Sequence, residues 1–391
     1  MKLEVGNHGP GRAANPPGAT TTAWRPTPLA GQVPADRFPT IPADQARPLL
    51  PGLDLWDCWP LAHEDGHTAA VMLGGESRSL WFFLSAPRFP DPADRHAHAR
   101  IRLLSRGAGG WRDHGPALPD GWCPGSREWA GSAVLGADGH TVTLYLTAAG
   151  RRGEARPTFE QRLFEGGAKL GPDGLAAWRE PEELVRADGH HYLPVTAREE
   201  GAPGTLKAFR DPFWFRDPAT GGEHLVFTAS AAWSADPHNG VVGLATRTAR
   251  GWTLEAPLVE AVGVNNELER PQLVVRGGRY YLFWSTQAHT FSPRAPGYPT
   301  GLYGMVADRL RGPWRPLNGH GLVAANPADE PAQAYSWCVT GEDEAWSFVD
   351  YWGMAGRSLA DHPDCRRGQF GGTPAPVLRL RYAGDRVRLE R

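Results

Sequence analysis

The chain has 391 residues, with 41 Lys plus Arg against 43 Asp plus Glu, which gives a formal net charge of −2 at pH 7. This balance excludes the strongly basic surface of a nucleic-acid-binding protein. No apolar run approaches the roughly 20 residues that a membrane-spanning helix needs. Glycine and proline number 48 and 37, and so many chain breakers favour short strands and turns over long helices.

The first 45 residues are rich in proline, glycine, alanine and threonine and show no hydrophobic periodicity. Such a composition is typical of a disordered tail or an extended wrapping segment. We therefore predict an extended or disordered segment over residues 1–45 and a single folded domain over residues 46–391. The first residues contain no apolar stretch of the kind found in a secretory signal peptide.

From residue 46 onward, short runs rich in Val, Leu, Phe, Tyr and Trp are typical of half-buried strands. The clearest runs are residues 68–73, 79–85, 141–147, 224–230, 280–285 and 346–352. Turn dipeptides such as Asp138-Gly139 and Gly277-Gly278 separate them. The best helical candidate, residues 181–186, is short.

Strands without helices between them exclude an alternating βαβ sheet and predict an all-β fold, either a pair of sandwiches or a propeller. A propeller suits dispersed polar residues better, because strands of separate blades converge on one central channel.

The four cysteines form no CxxC pair, so zinc-ligand spacing is absent and we predict no metal site. We expect Cys58 to be a small buried apolar residue, and a disulfide among the other three stays open.

Three segments place a carboxylate among aromatic, arginine or proline side chains. They are residues 55–60 around Asp57, residues 209–213 around Asp211 and residues 266–271 around Glu269. Because they lie far apart in sequence, only the fold can bring them together. Three convergent carboxylates suit glycosyl transfer, which uses a nucleophile, an acid/base and a stabiliser of an oxocarbenium-like transition state.

These segments resemble the levansucrase family, glycoside hydrolase family 68. Residues 56–60, Trp-Asp-Cys-Trp-Pro, resemble its W-D-x-W-P segment, and residues 128–132 resemble its E-W-[SA]-G-[ST] segment. Residues 210–212 match its Arg-Asp-Pro motif and residues 267–271 match its acid/base segment. Weaker matches follow at 281–283, 312–314 and 335–336. One motif alone is weak, but the series occurs in the family's order.

The resemblance implies a five-bladed β-propeller with a deep funnel, and sucrose as the fructosyl donor. Asp57 would be the nucleophile, Asp211 the transition-state stabiliser that holds two fructose hydroxyls, and Glu269 the general acid/base. Sugars or water would accept the fructosyl unit, no organic cofactor would be needed, and the protein would be secreted, although a cytoplasmic location stays open. Apart from the resemblance, we expect the protein to be a monomer. Chemistry alone does not decide between Glu267 and Glu269 as the acid, since both would face the same side of a strand. The family pattern favours the glutamate directly before arginine.

Seven further residues are predicted to bind the substrate. In the family, the equivalent positions lie near the funnel. The seven residues are Trp56, Trp129, Arg210, Glu267, Arg270, Gln287 and Tyr335. Tyr335 has the alternative interpretation of a core tyrosine with a satisfied hydroxyl. We also expect tryptophans on both sides of Asp57, Trp56 and Trp59, to wall the sugar site.

Two departures from the family pattern bear on function. Asn266 stands where many members carry an aspartate that helps to bind calcium, and a neutral amide is a poorer ligand for a hard cation. Gln287 stands where polymer-forming members usually carry arginine or histidine near the acceptor. Residues 281–287 resemble transfructosylating β-fructofuranosidases instead, which favours hydrolysis or short oligosaccharides over long levan.

Two alternatives to a levansucrase-like fructosyltransferase therefore stay open. One is a mainly hydrolytic β-fructofuranosidase of the same family. The other is a non-catalytic sugar-binding propeller, which is disfavoured because all three carboxylates are present. A related family of invertases and fructanases shares the Arg-Asp-Pro motif but expects different nucleophile and acid/base segments.

Overall fold

The computed structural model describes residues 21–26, 36–196, 204–295 and 297–390. These residues form 26 strands, and 24 of them make up the five blades of a β-propeller. Each blade is an antiparallel sheet whose first long strand lies innermost, next to the central axis. No helix among the described residues is long and apolar enough to cross a membrane.

Two short strands precede the blades: β1 (Thr22–Ala23) and β2 (Asp36–Arg37). Blade I contains β3 (Leu53–Ala62), β4 (Ala70–Leu73), β5 (Glu76–Pro87), β6 (Arg100–Gly107) and β7 (Gly110–Pro116). Blade II contains β8 (Arg127–Leu135), β9 (Thr141–Ala149), β10 (Gln161–Gly171), β11 (Gly174–Ala176) and β12 (Glu182–Glu183). A short parallel pairing of β3 with β8 links the two blades into one continuous sheet.

The remaining blades follow in chain order. Blade III contains β13 (Phe209–Arg216), β14 (Glu223–Ser230), β15 (Gly240–Thr248) and β16 (Gly251–Glu260). Blade IV contains β17 (Glu269–Arg276), β18 (Arg279–Thr286), β19 (Gly301–Ala307), β20 (Arg315–Pro316) and β21 (Leu322–Ala325). Blade V contains β22 (Ala334–Val339), β23 (Glu344–Tyr351), β24 (Phe370–Pro374), β25 (Leu378–Ala383) and β26 (Arg386–Leu389).

Helices are few among the described residues. Short 3₁₀ helices lie at Pro92–His98, Ala288–Thr290 and Leu317–Gly319, and one short α-helix, α1, spans Cys365–Gln369. The predicted helix over residues 181–186 is wrong, because Glu182–Glu183 pairs with β10 and extends the edge of blade II. All four cysteines are free, and Cys58 is buried as expected.

The predicted strand runs coincide with strands of the blades, because their aromatic and branched side chains pack between neighbouring sheets. The Gly277-Gly278 dipeptide forms the hairpin turn between β17 and β18, with φ of 56° and 74°. Such positive φ values are readily adopted by glycine.

Part of the segment before residue 45 runs along the propeller in extended form. β1 pairs in parallel with β16 of blade III, and β2 pairs in parallel with β21 of blade IV. Trp24 is fully buried against Trp284 and Tyr303, with ring centroids 5.1 and 5.5 Å away. Residues 1–20 and 27–35 lie outside the described residues, and the boundary near residue 45 stays a prediction.

All five innermost strands carry a β-bulge at the same level. The register of β3, β8, β13, β17 and β22 shifts after Trp56, Trp129, Arg210, Glu269 and Tyr335 respectively. Four non-glycine residues there have a left-handed backbone: Asp57, Asp211, Arg270 and Ser336. Bulges re-aim side chains next to active sites, and strained backbone is often found there. The axis of the propeller is therefore the place to look for chemistry.

Candidate active site

A funnel of about 340 Å³ opens at the bulge level of the propeller axis. It is lined by Asp57, Asp211 and Glu269 from three separate blades, so the fold brings the predicted carboxylates together. Among the predicted binding residues, the lining also includes Trp56, Trp129, Arg210, Glu267, Gln287 and Tyr335. A cavity of this size with aromatic walls and converging polar groups is typical of a small-molecule site.

Asp57 projects from β3 with φ of 43°, and its side chain is only partly covered. Burial raises the pKa of this carboxyl, and the neighbouring Glu269 raises it further. Arg270 and hydrogen bonding by Ser336 act in the opposite direction and favour the ionised form. A carboxylate with cationic support and an open side is suited to nucleophilic attack.

Arg210 forms ion pairs with three acidic side chains of the funnel. Its Nη2 lies 3.1 Å from Glu269 Oε1 and 3.3 Å from Glu267 Oε1, and its Nε lies 3.3 Å from Asp211 Oδ2. Burial alone would lower the pKa of this guanidinium, but the three carboxylates together raise it. Arg210 therefore remains charged and fixes three acidic side chains that would otherwise repel one another.

Asp211 is held by two threonines from neighbouring strands. Thr228 Oγ1 donates to Asp211 Oδ2 at 3.0 Å, and the Asp211 N–H donates to Thr147 Oγ1 at 2.8 Å. Burial raises the pKa of Asp211 to about 7; Arg210 opposes the rise, whereas Glu269 adds to it. The carboxyl is thus rigid, close to a reacting centre and responsive to any positive charge that develops there.

Glu269 and Glu267 face the same guanidinium but have different surroundings. Tyr335 Oη donates a short hydrogen bond to Glu269 Oε2. Burial, followed by the charge of Glu269, raises the pKa of Tyr335 well above its usual value, so the phenol keeps its proton and remains a donor. The Glu269 side chain is 18% exposed, against 10% for Glu267. Burial raises the pKa of Glu267 to about 7 despite the opposing charge of Arg210.

Two predicted residues lie away from the funnel wall. Arg270 is buried beneath Asp57, where its Nη2 donates to the Cys58 carbonyl at 2.7 Å and its Nη1 donates to Ser336 Oγ at 2.7 Å. Trp59 does not line the funnel either, because the bulge at Asp57 turns its ring away to stack on Phe82 at 5.8 Å. Of the two tryptophans around Asp57, only Trp56 walls the site.

The aromatic wall continues on β8 of blade II. Trp129 packs edge-on against Phe159, with 5.9 Å between centroids, and the Arg127 guanidinium lies 5.6 Å from the Trp129 ring. Gln287 closes the funnel near blade IV, where it precedes the Ala288–Thr290 helix. These side chains offer stacking surface and one neutral hydrogen-bonding amide to a sugar.

A lysine ammonium lies beside Asn266, at the position discussed for calcium. Lys207 Nζ contacts the Pro237 carbonyl and Asn239 Oδ1, each at 2.7 Å, and Asn266 Oδ1 at 3.3 Å. The oxygens that surround Asn266 are thus already matched by a positive charge. Across the described part of the chain, no group of three His, Cys, Asp or Glu side chains is arranged to hold a metal ion.

Sequence reasoning missed several residues of the funnel. Asp350, on β23, is 7% exposed and lines the wall together with Gln161 and Lys207. The available signal was a single acidic residue within the otherwise apolar run at 346–352. Lys207 lies on a connection between strands, where periodicity gives no indication of side-chain direction.

Comparison with known proteins agrees with this geometry. A family model described as Levansucrase/Invertase matches residues 27–239 and 234–390. Levansucrase LscA of Pseudomonas savastanoi pv. glycinea is 31% identical over 375 residues, which cover 85% of this chain and 85% of that protein.

Two solved structures share the architecture. An inulosucrase from Halalkalicoccus jeotgali bound to kestose superposes with a TM-score of 0.81 and 39% identity, over 94% of this chain and 95% of that chain. The full-length β-fructofuranosidase from Microbacterium saccharophilum K-1 superposes with a TM-score of 0.75 and 25% identity, over 95% of this chain and 80% of that chain. With its fold, its funnel and these relatives, the chain belongs to the levansucrase/invertase family, glycoside hydrolase family 68.

Proposed function

We propose that this chain, a fructosyltransferase of its family, takes the fructosyl unit of sucrose onto Asp57 and passes it to a sugar acceptor or to water. The observation that carries the proposal is the convergence of Asp57, Asp211 and Glu269 from three blades on one funnel. Two displacements at the anomeric carbon, the first by Asp57 and the second by the acceptor, retain its configuration.

Glu269 is the proposed acid/base. In the first step it would protonate the glucosyl oxygen as the glycosidic bond breaks, and in the second it would take the proton of the acceptor. Its greater exposure to the funnel and its contact with Tyr335 support this choice over Glu267. Glu267 would instead hold Arg210, and Asp211 would stabilise positive charge on the fructosyl ring.

The assignment of the acid is tested with an aryl β-fructofuranoside, whose leaving group needs no protonation. We expect Glu269→Gln to lower kcat on sucrose by about 10²- to 10⁴-fold, and to lower it far less on the aryl substrate. Glu267→Gln should affect the two substrates equally, because it disturbs Arg210 rather than the leaving group. The reverse pattern would assign the acid to Glu267.

A mainly hydrolytic β-fructofuranosidase is the second candidate function. It is supported by the structural similarity to the Microbacterium enzyme and by the neutral Gln287 at the funnel wall. Similarity to an inulosucrase as well as to a levansucrase is a reason to test for both polymer linkages.

Time courses of free glucose and free fructose from sucrose test both candidates. Glucose in excess of fructose would mean that fructosyl units reached sugar acceptors, and equal amounts would mean that water accepts them. Linkage analysis of the products then separates levan-type from inulin-type transfer. Release of neither sugar, under conditions where the chain is folded, would overturn the use of sucrose and favour a sugar-binding protein.

Export from the cell, which follows from the family resemblance alone, and a monomeric state are two further proposals. Fractionation of the native host and light scattering of the purified chain test them. Recovery of active protein only inside cells, or a stable dimer, would contradict them.

A further inference from the structure

Asp350 is a buried carboxyl that the proposed mechanism does not use. It lies near the end of β23 and lines the funnel with Trp56 and Asp57. Its N–H donates to the Gln333 carbonyl at 2.9 Å. Its Oδ1, in contrast, is fully buried and has no hydrogen-bond partner among the described residues.

Such an atom is unusual, because nearly all buried polar atoms in native proteins have a partner. A cation lies nearby, since Arg95 acts electrostatically on Asp350. Arg95 Nη1 donates to the Pro92 carbonyl at 2.8 Å, and the guanidinium carbon lies 4.5 Å from the Phe370 ring and 5.4 Å from the Trp56 ring. Its buried Nε has no hydrogen-bond partner in the described part of the chain either, and no hydrogen bond joins Arg95 to Asp350. The Asp350 carboxyl thus lines the funnel without a donor from the described residues, which indicates a donor that enters with the ligand.

We propose that Asp350 accepts a hydrogen bond from a hydroxyl of the fructosyl unit while that unit is held against Asp57. The inference rests on the proposed function and adds a residue that selects the donor sugar. A carboxyl offers acceptor oxygens, and the ring hydroxyls of a fructosyl unit supply donors. Blades V and I would thus hold the sugar through Asp350 and Asp57, and blades III and IV through the Arg210 cluster.

The test is a binding series that does not require turnover. Sucrose and its monodeoxy derivatives, each lacking one fructosyl hydroxyl, are titrated by calorimetry into Glu269→Gln protein with and without Asp350→Ala. Asp350→Asn, whose amide oxygen still accepts, should bind sucrose closer to the parent. Glu344→Gln, which changes a carboxylate on the same strand outside the funnel, is the matched control.

We expect Asp350→Ala to weaken sucrose binding about 10- to 100-fold, as loss of a hydrogen bond to a charged group does. For one deoxy derivative the parent and the Ala variant should bind equally well, because the partner hydroxyl is already missing. Equal effects of Asp350→Ala on sucrose and on every deoxy derivative would overturn the proposal, as would no effect at all. If the unaltered chain releases no glucose from sucrose but the single-hydroxyl pattern is found, the proposed function fails while the assignment of Asp350 stands.

Discussion

Asp57, Asp211 and Glu269 each have a different set of partners, and these partners distinguish the three roles proposed for them. Asp57 has Arg270 beneath it and an open side, Asp211 is held by Thr228 and Arg210, and Glu269 is contacted by Tyr335. In the proposed mechanism, identical carboxyl chemistry thus serves as nucleophile, stabiliser and acid/base, because the environment differs at each position.

Ser336 acts on the pKa of Asp57, the proposed nucleophile, so its removal should shift the pH profile of activity. Hydrogen bonding by Ser336 lowers the pKa of Asp57, against the larger effect of burial, which raises it. Ser336→Ala should therefore raise this pKa, and the acid limb of kcat/KM should move to higher pH, because Asp57 must be ionised to react. Ser347→Ala, at another buried serine, is the control. An unchanged acid limb would show that Ser336 does not act on the nucleophile.

Asp350 should also make stability depend on pH. Burial raises its pKa to about 7, so the folded state favours the protonated acid. This stabilising contribution is fully present below the unfolded pKa near 3.8 and is lost as pH rises through about 7. In the ligand-free protein, Asp350→Asn should raise the melting temperature at pH 8 by a few degrees relative to wild type, with little difference at pH 4. A lower melting temperature at pH 8 would mean that the carboxylate stabilises the fold.

The innermost strand of each blade positions side chains in the funnel or directly beneath it. Each carries its bulge at the level of the funnel, and left-handed residues on four of them turn side chains toward the axis or beneath it. On β8 the bulge is accommodated by Gly131, whose missing side chain lets β9 approach closely.

Gly131 is therefore a sensitive position. A Cβ atom there would overlap the carbonyl oxygen of Tyr145 on β9, which is backbone and cannot rotate away. Gly131→Ala should lower the free energy of unfolding by about 1–3 kcal/mol or more, and should reduce kcat/KM by displacing Trp129. Gly109→Ala, where a Cβ meets nothing within 4 Å, is the matched control. Equal denaturation curves for the two variants would contradict this account.

At the scale of the whole molecule, blade V must close the ring against blade I, because residues of both blades line the funnel. Asp54, fully buried on β3 of blade I, receives both Nη1 and Nη2 of Arg367 at 2.7 and 3.0 Å from the short α1 helix of blade V. The described part of the segment before residue 45 makes further contacts with the propeller, since β1 pairs with blade III and β2 pairs with blade IV.

Trp24 tests whether that segment stabilises the propeller. Its ring is fully buried, and its Nε1 donates to the His320 carbonyl at 3.2 Å. Trp24→Ala should cost about 3–5 kcal/mol, as large aromatic truncations do, while kcat below the melting temperature stays near wild type because Trp24 is remote from the funnel. Met72→Ala, at a side chain that is 62% exposed, should cost little. Equal stability of the two variants would show that the segment only rests on the surface.

The sequence predicted the strand-rich fold and the three carboxylates because both are local signals: apolar runs, turn dipeptides and short motifs around Asp57, Asp211 and Glu269. It did not predict that Arg270 lies beneath Asp57 rather than on the wall, since one bulge reverses the direction of the following side chains. Asp350 was missed for a similar reason, because only the closure of blade V against blade I brings that strand to the funnel.

The most direct test of the central claim is to trap the fructosyl-enzyme. Glu269→Gln protein turning over an aryl β-fructofuranoside is quenched in acid and digested, and its peptides are examined by mass spectrometry. The account predicts that the peptide containing Asp57 gains the mass of one fructosyl unit, and that Asp57→Asn abolishes the adduct. Release of the aryl group with no adduct, or with an adduct on a different carboxylate, would contradict it.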